Sequence, residues 1–175
     1  MNTRHRATAG AVAGFLLACE LGSHALVGAH SGARALQKEM SATMHARGTF
    51  DVKLTPQASD DDPAGALGRT SFDKRLHGDL EGTSKGEMLS ALTSVQGSAA
   101  YVAIERVNGA LDGRRGSFVL QHTGTMARGA LQLTVAVVPD SGTGQLVGLT
   151  GKMAIQIDGG KHSYDLEYAF TDAAR

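Results

Sequence analysis

Tryptophan is absent from this chain, cysteine occurs once and proline three times in 175 residues. The lone Cys19 excludes an internal disulfide and any cysteine-rich metal site, and it leaves the redox compartment undetermined. Scarce proline beside 23 glycines argues against a disordered linker and for many turns and bends between short strands. Charge excess is missing too: 17 basic residues face 17 acidic ones, so the electrostatic footprint of a nucleic-acid binder is not present. No segment carries a long, clean helical stripe. What is there is length enough for one domain with a proper core.

The first forty residues differ from the rest. They lack strand alternation and are rich in Ala and Gly. Arg4, His5 and Arg6 precede the apolar run "AGAVAGFLLAC", in the order of a bacterial export signal. That run falls short of the roughly 20 residues of a membrane-spanning helix. "LLAC" resembles a lipobox, which would anchor the chain to lipid at Cys19, and "AHS" and "ARA" are alternative small-residue cleavage sites. The competing reading is translated upstream sequence, with Met40 or Met44 as the true start and a cytoplasmic protein as the result. Residues 1–40 are therefore an extension, disordered or partly helical, and residues 41–175 a single domain.

From residue 42 onward the period is two. Phe50, Val52 and Leu54 alternate with Asp51 and Lys53; Leu131, Leu133, Val135 and Val137 alternate with Gln132, Thr134 and Ala136. Met153, Ile155 and Ile157 share a face, as do Tyr164, Leu166, Tyr168 and Phe170. This is the pattern of half-buried strands. Turn signals such as "NGALDGRRG" and "DGGK" separate them. About eight strands are predicted, near 43–55, 67–77, 80–90, 99–109, 115–126, 130–138, 149–157 and 162–171. "GEMLSALTSV" holds either a helical turn or a strand ending in a loop. Short, nearly uniform connections favour an all-β, eight-stranded antiparallel up-and-down barrel over a two-sheet sandwich. Such a barrel is wide enough for side chains or one small ligand.

One charge pair poses a problem for this fold. In "YVAIERV", Glu105 and Arg106 are adjacent, so one of them faces inward if the strand does. A two-residue turn at Asp112-Gly113 pairs Leu111 with Arg114, Glu105 with Leu120, and Ala103 with His122. Phe118, Leu120 and His122 then share a face with Tyr101, Ala103 and Glu105. A turn at Gly159-Gly160 likewise pairs Ile155 with Tyr164 and Met153 with Leu166, joining two apolar faces. If Phe118 and Leu120 point inward, so does Glu105, with His122 as a diagonal neighbour. The opposite assignment buries Val102, Ile104 and Arg106 instead. A carboxylate inside a barrel has its pKa raised by burial unless His122 or another cation compensates. Glu105, His122 and Tyr101 are thus the candidate catalytic or ligand-orienting residues, against a bland alternative in which they satisfy one another and set strand register.

Other stretches carry less. "HGDLEGTSKGEM" reads as a polar rim or a solvated, twisted strand. "DSGTGQLVGLTG" lacks the Gly-Lys-Ser/Thr ending of a phosphate loop and precedes a strand, so its glycines serve a tight turn and a bend. His45, His77, His122 and His162 sit on different strands without paired spacing, so no metal site is predicted. No serine has a nucleophile-elbow context. Outward Val102 and Ile104 could form a homo-oligomer interface.

"GTFDVKLTPQ", "HGDLEGTSKGEML", "GSAAYVAIERVNGALDGRRGSFVLQHTGTM", "LTVAVVPDSGTGQLVGLTGKMAIQI" and "KHSYDLEYAF" together resemble the bacterial family known as domain of unknown function 3224. The resemblance runs from about Thr43 to Phe170; members begin near the equivalent of Met40. That family is similar in fold to the plant allene oxide cyclases, which implies an open-mouthed eight-stranded barrel able to hold a hydrophobic small molecule. The early-strand glutamate of the cyclase pocket has no match in "FDVKL". The resulting expectation is a barrel binding a small hydrophobic ligand against Phe118, Leu120, Tyr164 and Tyr168, with no cofactor. The alternatives are a cofactor-free isomerase or cyclase with Glu105 as acid/base, and a structural barrel with a packed interior.

Overall fold

The structure, a computed structural model, describes residues 43–57 and 66–171. The signal-like segment, Cys19 and Met40 lie outside the described residues. Eight strands follow in order: β1 (Met44–Gln57), β2 (Leu67–Gly78), β3 (Leu80–Leu92), β4 (Ala99–Leu111), β5 (Arg114–Ala127), β6 (Ala130–Val137), β7 (Leu149–Asp158) and β8 (Lys161–Phe170). Each strand pairs with its sequence neighbours, and β1 closes on β8 to complete an up-and-down antiparallel barrel. "GEMLSALTSV" resolves as the end of β3 followed by a turn.

Three hairpins turn on two residues that both have positive φ: Asp112-Gly113 (45° and 79°), Arg128-Gly129 (49° and 90°) and Gly159-Gly160 (53° and 79°). Turns of this hand match the right-handed twist of the strands they join. Register follows from them. Glu105 lies opposite Leu120 and Ala103 opposite His122; Ile155 lies opposite Tyr164 and Met153 opposite Leu166. Glu105 is therefore interior, at 0% exposure, while Val102 (52%) and Ile104 (55%) are outside with Arg106.

The two ends of the barrel differ. At one end Leu80, Leu111, Leu149, Leu166 and Phe118 are almost completely buried. The connection between β6 and β7 seals that end. Its single turn of 3-10 helix, Gly144–Leu146, inserts Leu146 at 0% exposure, and Thr143 and Ser141 tie it to the backbone of Ser117 and Val119. So the Gly-rich "DSGTGQLVGLTG" does more than bend: it plugs the barrel. At the other end, Leu54, Leu92, Leu131 and Ile157 keep the inward strand phase yet are 58–67% exposed. An inward phase combined with high exposure means that nothing from the described residues covers this mouth.

Candidate functional site

Between plug and mouth lies a buried polar cluster centred on Glu105. Its Oε1 accepts a 2.5 Å hydrogen bond from Ser84 Oγ, and its Oε2 accepts one of 2.7 Å from Lys74 Nζ. His122 Nε2 lies 2.8 Å from the same Oε2. The N–H misses the oxygen, however, and Nε2 is left without a hydrogen-bond partner among the described residues. The side chains are dry: Lys74 is 9% exposed, His122 5% and Glu105 0%.

Strand geometry explains how these groups meet. Lys74 lies on β2 and Glu105 on β4, two strands apart. The intervening β3 presents only small inward residues there, Ser84 and Gly86, paired with Lys74 and Phe72 respectively. Lysine reaches over them to the carboxylate. A Cβ on Gly86 would stand 2.2 Å from the Phe72 ring and 2.7 Å from the Ile104 carbonyl oxygen, so this position has no room for a side chain. The Lys74 ammonium also sits over two aromatic faces, 4.8 Å from the Phe50 centroid and 5.2 Å from that of Phe72. Both contacts lower the cost of burying a cation. Phe72 in turn meets the His122 ring at 6.3 Å, edge on.

Burial by itself pushes the Glu105 carboxyl pKa up. His122, the Lys74 charge and hydrogen bond, and Ser84 outweigh it and hold the group at about 2. At 2.8 Å the imidazole still favours the anion electrostatically, although the aligned donors are Lys74 and Ser84. Tyr101 stands mouthward of the cluster, half-buried, its ring laid across Gly124, where a Cβ would come within 2.2 Å of it. Burial, and then the Glu105 charge, raise its phenol pKa. Among the described residues it makes no hydrogen bond to the cluster.

The four residues expected to line a ligand are all buried. Phe118 and Leu120 are fully buried in the core. The Tyr164 hydroxyl accepts a 3.0 Å hydrogen bond from the Leu80 amide and lies 3.1 Å from the His77 carbonyl, which it can donate to. The Tyr168 hydroxyl donates a short hydrogen bond to the Asp112 carboxylate in the turn closing β4 and β5. Burial and then that carboxylate push the Tyr168 phenol up to about 12. All four belong to the packed half of the barrel. The mouthward interior is lined instead by Val52, Thr70, Met88, Tyr101, Leu133 and Ile155, all half-buried.

Lys74 and Ser84 are the cluster members that the sequence reading missed. The signal existed: Phe72, Lys74 and Leu76 alternate on one face of "TSFDKRLHG", which puts Lys74 on the apolar side. Among the described residues, no three His, Cys, Asp or Glu side chains converge on a point that could hold a metal ion.

Fold and site together define a class: a small closed antiparallel barrel, plugged at one end and open at the other, with an ion-paired cluster buried between. The chain belongs to the family described as Protein of unknown function (DUF3224), whose model matches residues 46–168. It is similar to a crystallographically solved protein of unknown function from that family, from Shewanella oneidensis MR-1. The two are 51% identical over 74% of this chain and 99% of that one, with a TM-score of 0.70. No curated protein matches the chain.

Proposed function

We propose that this protein binds a small, largely apolar molecule through the open end of the barrel and does not act on it chemically. The observation that carries this reading is the asymmetry of burial. Side chains of one inward phase are sealed at the plugged end, whereas Leu54, Leu92, Leu131 and Ile157 ring the other end at 58–67% exposure. Four large aliphatic side chains turned toward a mouth and left in water are unfavourable unless something apolar enters it.

The chemistry of the cluster favours binding over turnover. A general acid or base works best with a pKa near the operating pH and a free oxygen. Glu105 has a pKa of about 2 and both oxygens engaged, so it serves as a fixed counter-ion.

Native mass spectrometry of the protein from its own host, together with titration by the solvatochromic dye Nile red, tests the reading. Saturable dye binding is expected, weakened by Ile157→Asp at the mouth and unchanged by Arg106→Ala on the outer wall. A folded protein that neither retains a ligand nor binds the dye would sink it.

A further inference from the structure

We infer that the molecule entering this barrel carries a neutral oxygen-acceptor head, such as an alcohol, ketone or ester, and that the matching carboxylate is rejected. This rests on the binding reading above and adds the chemical class of the ligand.

Two features of the cluster carry it. The first is the orphaned His122 Nε2, on a side chain 5% exposed. Nε2 stands 2.8 Å from Glu105 Oε2 without an aligned hydrogen bond, so when it carries the proton it is a donor whose present acceptor is poorly placed. A buried donor in that state favours any ligand atom able to accept from it. Met88, whose register partner Ala103 pairs with His122, lies level with it, and Tyr101, opposite Gly124, is one inward step toward the mouth; both are half-buried. Met88 is a flexible thioether that can repack around an entering head.

The second feature is charge. The Lys74 ammonium and the Glu105 carboxylate cancel within 2.7 Å. A ligand carboxylate would leave one net negative charge in a dry, aromatic-walled interior, which is costly. An alcohol or carbonyl oxygen adds no charge. It can accept from His122, or from a second N–H of Lys74, which has three donors and uses one on Glu105. Glu105 is thus the group that excludes anionic heads, and without its charge Lys74 would attract them.

The experiment compares 1-decanol with decanoate, chain-matched probes, by displacement of Nile red at pH 8. Wild type is expected to bind decanol at least tenfold tighter. An alcohol partitions better into any apolar site, so the decisive result is Glu105→Gln, in which the preference should reverse to decanoate. His122→Leu leaves the ion pair intact and keeps the proposal testable if Glu105→Gln does not fold. It should weaken decanol about tenfold while changing hexylbenzene, which has no acceptor oxygen, less than twofold. A wild-type preference for decanoate, an unaltered ratio in folded Glu105→Gln, or equal loss of decanol and hexylbenzene in His122→Leu would overturn the inference. If Nile red binds but neither ten-carbon probe displaces it, the head-group assignment fails alone. If the dye does not bind either, the binding reading fails with it.

Discussion

Removing Lys74 should expose how the barrel tolerates a buried carboxylate. In Lys74→Met the stem is replaced by a side chain of similar shape, and Glu105 keeps only Ser84 and the misaligned His122. The depressed pKa sets the scale. A fall from the ordinary value of 4.5 to about 2 corresponds to about 3 kcal/mol favouring the ionised form in the folded state, shared among His122, Lys74 and Ser84. Breaking a buried pair by deleting one partner costs about 3–5 kcal/mol, which sets the size expected for Lys74. At pH 7 the variant should therefore lose about 3 kcal/mol in urea denaturation. Far-UV circular dichroism or tyrosine emission serves as the probe, since the chain has no tryptophan. The pH dependence has a definite sign. In wild type the folded pKa lies below the unfolded one, so the contribution is complete above pH 4.5 and is lost as pH falls through the folded value near 2. In Lys74→Met the carboxyl loses one of the partners that hold it down and its pKa rises from about 2, so the deficit should shrink on acidification, as Glu105 protonates within the folded protein. Glu105→Leu alone strands the lysine and should also destabilise. The double variant Lys74→Met/Glu105→Leu removes both charges and should recover most of the loss, giving a coupling energy of about 3 kcal/mol. Additive effects, or a Lys74→Met deficit that does not change with pH, would refute the reasoning.

Three further outcomes follow from the same contacts. Leu146→Ala opens a cavity in the plug and should cost about 3–5 kcal/mol in the same urea assay, with the largest hydrogen-exchange acceleration around Phe118 and Leu149. Gly86→Ala puts a Cβ against the Phe72 ring and the Ile104 carbonyl, so it should destabilise by more than about 2 kcal/mol; Phe72→Leu in the same chain should restore part of that loss, the backbone clash remaining. The outer strip of Leu89, Val102 and Ile104, 52–58% exposed, is expected to pair two copies of the chain. Sedimentation velocity should then give a dimer that Val102→Lys converts to a monomer, and a monomeric wild type at micromolar concentration argues against it.

Much of this protein was written in local pattern. Period-two alternation and turn chemistry specify the eight strands, because both act over a few residues and depend on strand geometry alone. Two-residue turns transmit register without any knowledge of the rest of the fold, which is why Glu105, Leu120 and His122 could be placed on one face from "LDGR". Which face is interior stayed open in the sequence, between Phe118, Leu120 and Glu105 on one side and Val102, Ile104 and Arg106 on the other, and burial in the closed barrel decided for the first.

Tertiary structure decided the remainder. Lys74 meets Glu105 only because β2 and β4 curve around a β3 that carries Ser84 and Gly86 at the crossing, a juxtaposition no single hairpin contains. Burial raises a carboxyl pKa when nothing answers it; here His122, anticipated from the hairpin, and Lys74 and Ser84, which only the tertiary fold brings in, hold it down. The two ends of the barrel were equally indistinct in sequence. Phe118, Leu120, Tyr164 and Tyr168 have the same inward phase as Leu131 and Ile157, and period two states only which face a side chain takes. Depth along the barrel axis is set by where the chain returns to cover an end. Leu146, carried in on a glycine-rich connection, covers one end of this barrel, and the described residues leave the other open.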